Sequence, residues 1–116
     1  MQKCYINGMG CVSSQDTYET SFLESVEINT TENIVYAKQP SYKELIPPAA
    51  ARRMAKGVKM GLAASTKALK EANVEVPDAI ITGTGMGCIE DSEKFLKALI
   101  DNNEDYLTPT NFIQST

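Results

Sequence analysis

The chain has 116 residues, 42% of them apolar, and a net charge of -4, which suits one folded domain and excludes a disordered or fibrous protein. It contains no histidine, the commonest general base and metal ligand, so the composition speaks against a hydrolase or a metal site. The three cysteines form no C-x-x-C pair, which disfavours a zinc knuckle or a dithiol redox motif.

The N-terminus has no basic region followed by an apolar run, so we expect no signal peptide. No apolar stretch approaches the roughly 18 residues that cross a bilayer. A cytoplasmic location, reduced thiols and no membrane partner are therefore expected.

The sequence of the first part of the chain predicts strands separated by turns. Residues 3–12 are rich in strand-forming side chains and contain Gly8 and Gly10, which permit a bend or a close backbone approach. Polar residues from 13 to 20 predict a turn or a short helix ending near Leu23. Residues 34–36 predict a second strand or hairpin arm, and Pro48 suits the start of a helix.

The strongest periodicity predicts a helix from about Ala50 to Asn73. Apolar side chains recur there at helical spacing, at Met54, Val58, Leu62, Leu69 and Ala72. A stripe of small residues lies one position away, at Gly57, Gly61, Ala64 and Ala68. Because small residues admit a neighbouring backbone, and each glycine costs a helix about 1 kcal/mol, we expect close packing along that stripe.

The last third of the chain predicts a strand, a glycine turn and a helix. Residues 79–83 are typical of a buried strand, and the helix is expected from about Asp91 to Asn102. Its predicted buried face consists of Phe95, Leu96, Leu99 and Ile100. Residues 105–116 are expected to form a loop. Helix, strand and helix in this order predict an α/β sheet.

Two features near residue 88 are weak candidates for chemistry. The glycines at 83–87 resemble a dinucleotide-binding loop, but the third glycine falls one residue early, so a simple turn is favoured over a small nucleotide-binding domain. Cys88 precedes a helix, a setting that can activate a thiol. Because Glu90 and Asp91 oppose a thiolate there and no histidine exists to pair with it, a structural role is favoured.

Charge is segregated along the chain. Residues 41–76 carry a net charge of +4, whereas residues 1–40 carry -3 and residues 77–116 carry -5. Arg52, Arg53, Lys56 and Lys59 lie at the start of the predicted helix, where cations oppose the helix dipole. Docking of an anionic partner is one interpretation of these cations, and an ordinary solvated helix face is the alternative. Nucleic acid is not expected, because the basic segment is short and lacks interleaved aromatic residues.

Four segments, taken in order, resemble the N-terminal part of β-ketoacyl-acyl carrier protein synthases. They are YINGMGCVS at 5–13, RRM with the following alanine-rich run at 52–72, IITGTGMG at 80–87 and TPTNFIQST at 108–116. The resemblance implies an α/β fold, specifically an incomplete N-terminal half of a thiolase-like layered αβαβα fold. It implies that residues 1–116 form part of one synthase domain that ends before the nucleophile elbow.

The resemblance further implies a decarboxylative condensation of carrier-bound acyl and malonyl groups in fatty acid or polyketide biosynthesis. The short, acidic stretch between Ser13 and Pro48 weakly favours a divergent branch of this family, such as the synthases of aryl-polyene assembly. The family's catalytic Cys and His residues have no counterpart among these positions, so no catalytic, metal-binding or cofactor-binding residue is assigned, and no cofactor is expected.

In relatives, the basic helix start contacts the acidic acyl carrier protein, which assigns docking to Arg52, Arg53 and Lys56 here. The full-length protein is expected to be a homodimer or heterodimer. A non-catalytic partner of a ketosynthase, resembling a chain-length factor, is an alternative that keeps the fold and replaces the catalytic Cys. The nucleotide-binding domain is the second alternative.

Overall fold

A computed structural model describes residues 3–20 and 26–115, with side chains described as far as Ile113. This part of the chain contains four helices: α1 (Pro48–Ala51), α2 (Lys56–Ala72), α3 (Ile89–Asp101) and α4 (Pro109–Ser115). None of these helices is both long and apolar enough to cross a membrane.

The predicted fold, an α/β incomplete N-terminal half of a thiolase-like layered αβαβα architecture, is wrong for the described residues, which contain helices and no strand. A strand requires a ladder of backbone hydrogen bonds to a neighbour. The segments at 3–12 and 34–36 form no such ladder; the nearest approach to one is a single bond from the Lys38 N–H to the Ser13 carbonyl (2.7 Å). The segment at 79–83 is exposed instead of buried, with Ile81 96% exposed.

The N-terminal segment packs its backbone directly on α2. A Cβ atom on Gly8 would fall well inside 3.0 Å of the Ala68 carbonyl oxygen, and one on Gly10 equally close to that of Ala64. The Met9 N–H also donates to the Glu71 carboxylate (2.8 Å). The predicted close approach of a neighbouring backbone to the small-residue stripe is therefore confirmed at the C-terminal half of the stripe, at Ala64 and Ala68.

The N-terminal half of the same stripe is open. A Cβ atom added to Gly57 or Gly61 would meet nothing within 4 Å. The apolar stripe beside it is only partly covered, since Val58 is 50% and Leu62 39% exposed. The expectation of close packing is wrong for this half of the helix.

The long predicted helix is two helices. Pro48 begins α1, as expected from its fixed φ, but α1 ends after one turn and Ala55 adopts extended backbone angles (φ -61°, ψ 151°) before α2. At the other end Asn73 takes the left-handed conformation (φ 56°), which asparagine tolerates at helix termini. The predicted C-terminal boundary is thus confirmed, and the predicted start is wrong.

Helix α3 is confirmed, whereas its predicted buried face is only half right. Phe95 and Leu99 are partly buried, but Leu96 and Ile100 are 55% and 74% exposed. The predicted C-terminal loop is wrong over residues 109–115, because α4 forms there and packs on α3, with the rings of Phe95 and Phe112 5.3 Å apart. A proline at the first helical position favours this start.

Residues 14–20 form bends and turns, which confirms the predicted turn there and not the short-helix alternative, whose predicted end at Leu23 lies outside the described residues. The buried apolar residues of the described ranges are Ile46, Ala55 and Ala63, and no large side chain there is fully buried. The described residues therefore enclose a small core, and most strand-like apolar segments lie at the surface.

Candidate docking site

Two adjacent arginines occupy the turn between α1 and α2. Arg52 caps the C-terminus of α1 with helical backbone angles (φ -68°, ψ -26°), and the Arg53 N–H donates to the Ala50 carbonyl (3.0 Å). Both side chains are exposed. Within residues 3–20 and 26–113, no carboxylate forms an ion pair with either guanidinium.

This position corrects the predicted one. The arginines precede α2 and do not lie in its first turn, so they do not oppose its dipole in the way predicted. A helix C-terminus favours a neighbouring cation, although α1 is only four residues long. What the turn provides is a pair of neighbouring, solvated cations at one place on the surface.

Lys56, the third predicted docking residue, is differently placed. It is the first residue of α2, and its ammonium group contacts the Glu90 carboxylate at 2.9 and 3.2 Å. This hydrogen bond and ion pair raises the pKa of Lys56 and lowers the pKa of Glu90. In the free chain, the Lys56 charge is therefore already neutralised by a partner that lies 34 positions away.

The Lys56–Glu90 pair gives an expected pH dependence. Because the folded-state pKa of Glu90 is lowered, its contribution is present above 4.5 and is lost as the pH falls below that value. Because the pKa of Lys56 is raised, its contribution is present below 10.5 and is lost as the pH rises further. Coupling between the two side chains should therefore be largest between these limits.

A double-mutant cycle with Lys56→Met and Glu90→Gln, measured by urea unfolding, checks this. We expect a favourable coupling energy at neutral pH and low salt, and its loss at about pH 2 or in about 1 M salt. Coupling that persisted unchanged at the acidic pH would contradict the ion pair.

A cleft of about 300 Å³ lies beside this ion pair, between residues 35–39 and the starts of α2 and α3. Tyr36, Met60 and Cys88 contribute to its lining. Asp91, buried in the first turn of α3, also faces the cleft. Carboxylates at this helix start disfavour a bound anion, so the cleft does not resemble a phosphate site.

The glycine-rich segment at 83–87 forms a turn that is held by a hydrogen bond within the segment. Thr84 accepts a hydrogen bond from the Gly87 N–H at its side-chain oxygen (2.9 Å), and Gly87 has a φ of 57°, a conformation that glycine adopts without strain. A dinucleotide loop follows a strand and opens a helix whose N-terminus receives the phosphates. Among the described residues the turn has no strand before it, and Glu90 lies in the helix start after it.

The structure contains two lysine–tyrosine contacts that the sequence did not predict. Lys67 donates to the Tyr18 carbonyl and lies 5.1 Å from the centre of the Tyr18 ring, which ties the N-terminal turn to α2. Lys59, predicted to belong to the basic cluster, lies 5.7 Å from the centre of the Tyr42 ring. Contacts of this kind depend on tertiary approach, so residue type and spacing do not predict them.

No protein-family model, curated protein or solved structure matches this chain. The resemblance of the four segments to β-ketoacyl synthases therefore stays a prediction. The candidate docking residues are Arg52 and Arg53, which form no ion pair within the described residues, and Lys56, which pairs with Glu90.

Proposed function

We propose that this chain supplies the docking surface for acyl carrier protein in a 3-oxoacyl-[acyl carrier protein] synthase. Such an enzyme condenses carrier-bound acyl and malonyl groups in fatty acid or polyketide biosynthesis. The observation that carries the proposal is the pair of exposed guanidinium groups at Arg52 and Arg53, which no carboxylate of the described residues neutralises.

Charge complementarity supplies the physical reason. The arginines lie in the one segment of the chain with a positive balance, +4 over residues 41–76, and an acyl carrier protein is acidic. Opposite potentials on two surfaces accelerate their encounter and fix their orientation. Arginine also forms paired hydrogen bonds with a carboxylate, which adds geometric selectivity to the attraction.

The two arginines and Lys56 are expected to contribute unequally. Because no carboxylate of the described residues pairs with Arg52 or Arg53, they can bind an incoming carboxylate without exchanging one of those. Lys56 must exchange Glu90 for the partner, so its net contribution is reduced by the contact that it loses. We accordingly assign docking chiefly to the arginines and give Lys56 a secondary role.

The condensation itself is not assigned to any residue of this chain. Cys88 caps α3 beside the carboxylates of Glu90 and Asp91, which oppose the thiolate that a nucleophile requires. No histidine is present to act as a base. The proposed contribution of this chain is thus recognition of the carrier protein, and the chain alone is expected to lack condensing activity.

Reversal of both arginine charges tests the proposal. We expect Arg52→Glu with Arg53→Glu to weaken binding of an acyl carrier protein by about tenfold or more at low salt, with the difference shrinking as salt screens the charges. Isothermal titration calorimetry at two salt concentrations provides the measurement.

The matched control is Lys70→Glu with Lys97→Glu, which makes the same change in net charge at two exposed positions on α2 and α3. We expect this control to weaken binding by no more than about twofold. Equal affinities for the two double variants at low salt would refute a docking role for the arginine pair.

A further inference from the structure

The Lys56–Glu90 pair lies at the edge of the proposed docking surface. Lys56 begins α2, three residues after Arg53, whereas Glu90 lies in the first turn of α3. Within residues 3–20 and 26–113, no other side-chain hydrogen bond or ion pair joins α2 to α3. The pair is therefore the polar link between these two helices, and one of its members is a candidate docking residue.

Both members of the pair are accessible to an incoming protein. The side chain of Lys56 is 57% exposed and that of Glu90 is 53% exposed. An exposed ion pair stabilises a fold only weakly, because water screens the charges and two long side chains lose their freedom. A carboxylate of another protein can therefore replace the Glu90 carboxylate beside Lys56 without a large loss of stability.

A second cation lies within reach of the Glu90 carboxylate once it is displaced. The pKa of Glu90 is lowered chiefly by Lys56 and further by Lys94, which follows it by four residues on α3. A glutamate four residues before a lysine is the favourable order for an ion pair on a helix. The ammonium group of Lys94 contacts the Asp91 carboxylate only at 3.8 Å. Glu90 can therefore exchange Lys56 for Lys94 and keep a neighbouring positive charge.

We propose that Glu90 is an inhibitory residue of the docking surface, which competes with the acyl carrier protein for Lys56 and is displaced when the carrier protein binds. The inference rests on the proposed function, since it names the residue that limits affinity at that same site. Displacement breaks the polar link between α2 and α3, so docking uncouples the starts of these helices. A partner that brings no carboxylate to Lys56 leaves the pair intact, so Glu90 also favours partners that present one there.

Glu90→Gln tests the competition, because it removes the carboxylate charge at nearly constant side-chain size. Calorimetric titration of the whole chain with an acyl carrier protein at low salt should show binding that is about threefold tighter than for the unmodified chain. The matched control is Glu93→Gln, which makes the same change in charge at an exposed position on the same helix. Glu93 forms no ion pair with the described residues, and we expect this control to change the affinity by less than about 1.5-fold.

The same two substitutions in a Lys56→Met background give a second readout. Without the cation for which the two carboxylates compete, Glu90→Gln and Glu93→Gln should change the affinity equally. A gain from Glu90→Gln that stays undiminished in this background would overturn the competition.

The outcomes separate this inference from the proposed function. If reversal of the arginine charges weakens binding but Glu90→Gln and Glu93→Gln bind equally tightly, the competition is overturned and the docking role of the arginines stands. If the carrier protein does not bind the unmodified chain at low salt, both are overturned.

Discussion

Replacing Gly10 with alanine is expected to lower the free energy of unfolding by about 2 kcal/mol. The added Cβ would collide with the carbonyl oxygen, carbonyl carbon and Cα of Ala64. All three are backbone atoms of α2, so no side-chain rotation relieves the collision. The N-terminal segment must move away from the helix, and contacts such as the Met9–Glu71 hydrogen bond should be lost with it.

Gly61→Ala is the matched control for this substitution. Gly61 lies within α2, where an added Cβ meets nothing within 4 Å, and alanine is a better helix former than glycine by about 1 kcal/mol. Urea unfolding followed by the helical circular dichroism signal should therefore show destabilisation for Gly10→Ala and stabilisation for Gly61→Ala. Changes of the same sign for both would contradict the packing of residues 8–10 on α2.

Substitution of Ala63 by aspartate is expected to cause the largest loss of stability, about 3 kcal/mol or more. Ala63 is 0% exposed, so a carboxylate at that position loses its hydration. The loss should be smaller at acidic pH, because burial opposes the charged form and the protonated side chain is less costly to bury.

Ser65→Asp provides the control for Ala63→Asp, since it places the same side chain two residues further along α2 at an exposed position. We expect it to change the free energy of unfolding by less than about 0.5 kcal/mol. Denaturant titrations at neutral and acidic pH distinguish the two. A similar loss for both variants would show that Ala63 is not part of a buried core.

Local periodicity predicted the helices better than it predicted their surroundings. The apolar spacing over 54–72 and 95–100 identified α2 and α3, because a helix satisfies its backbone hydrogen bonds within its own segment. The strands at 3–12, 34–36 and 79–83 were wrong, because a strand depends on a neighbour that sequence alone does not supply. The small-residue stripe predicted a backbone contact, and Gly8 and Gly10 make it.

The candidate site was likewise predictable where it depends on neighbours in the sequence, and not where it depends on contacts between distant residues. Arg52 and Arg53 are neighbours in the sequence, and both are exposed in the turn between α1 and α2, so the basic pair itself could be read from the sequence. The Lys56–Glu90 pair joins the starts of two helices across 34 positions, and no local pattern pairs these side chains. The apolar periodicity also did not predict the break between α1 and α2. This break places the arginines before the first turn of α2.

The central claim is that Arg52 and Arg53 form the surface that an acidic acyl carrier protein contacts. Titrating the isotope-labelled chain with unlabelled carrier protein, and following the backbone amide resonances, tests it most directly. We predict low-salt shifts concentrated in the turn at 52–56, and their loss when both arginines are replaced by glutamate. An absence of shifts in that turn, or shifts concentrated on α3 and the residues after it, would contradict the claim.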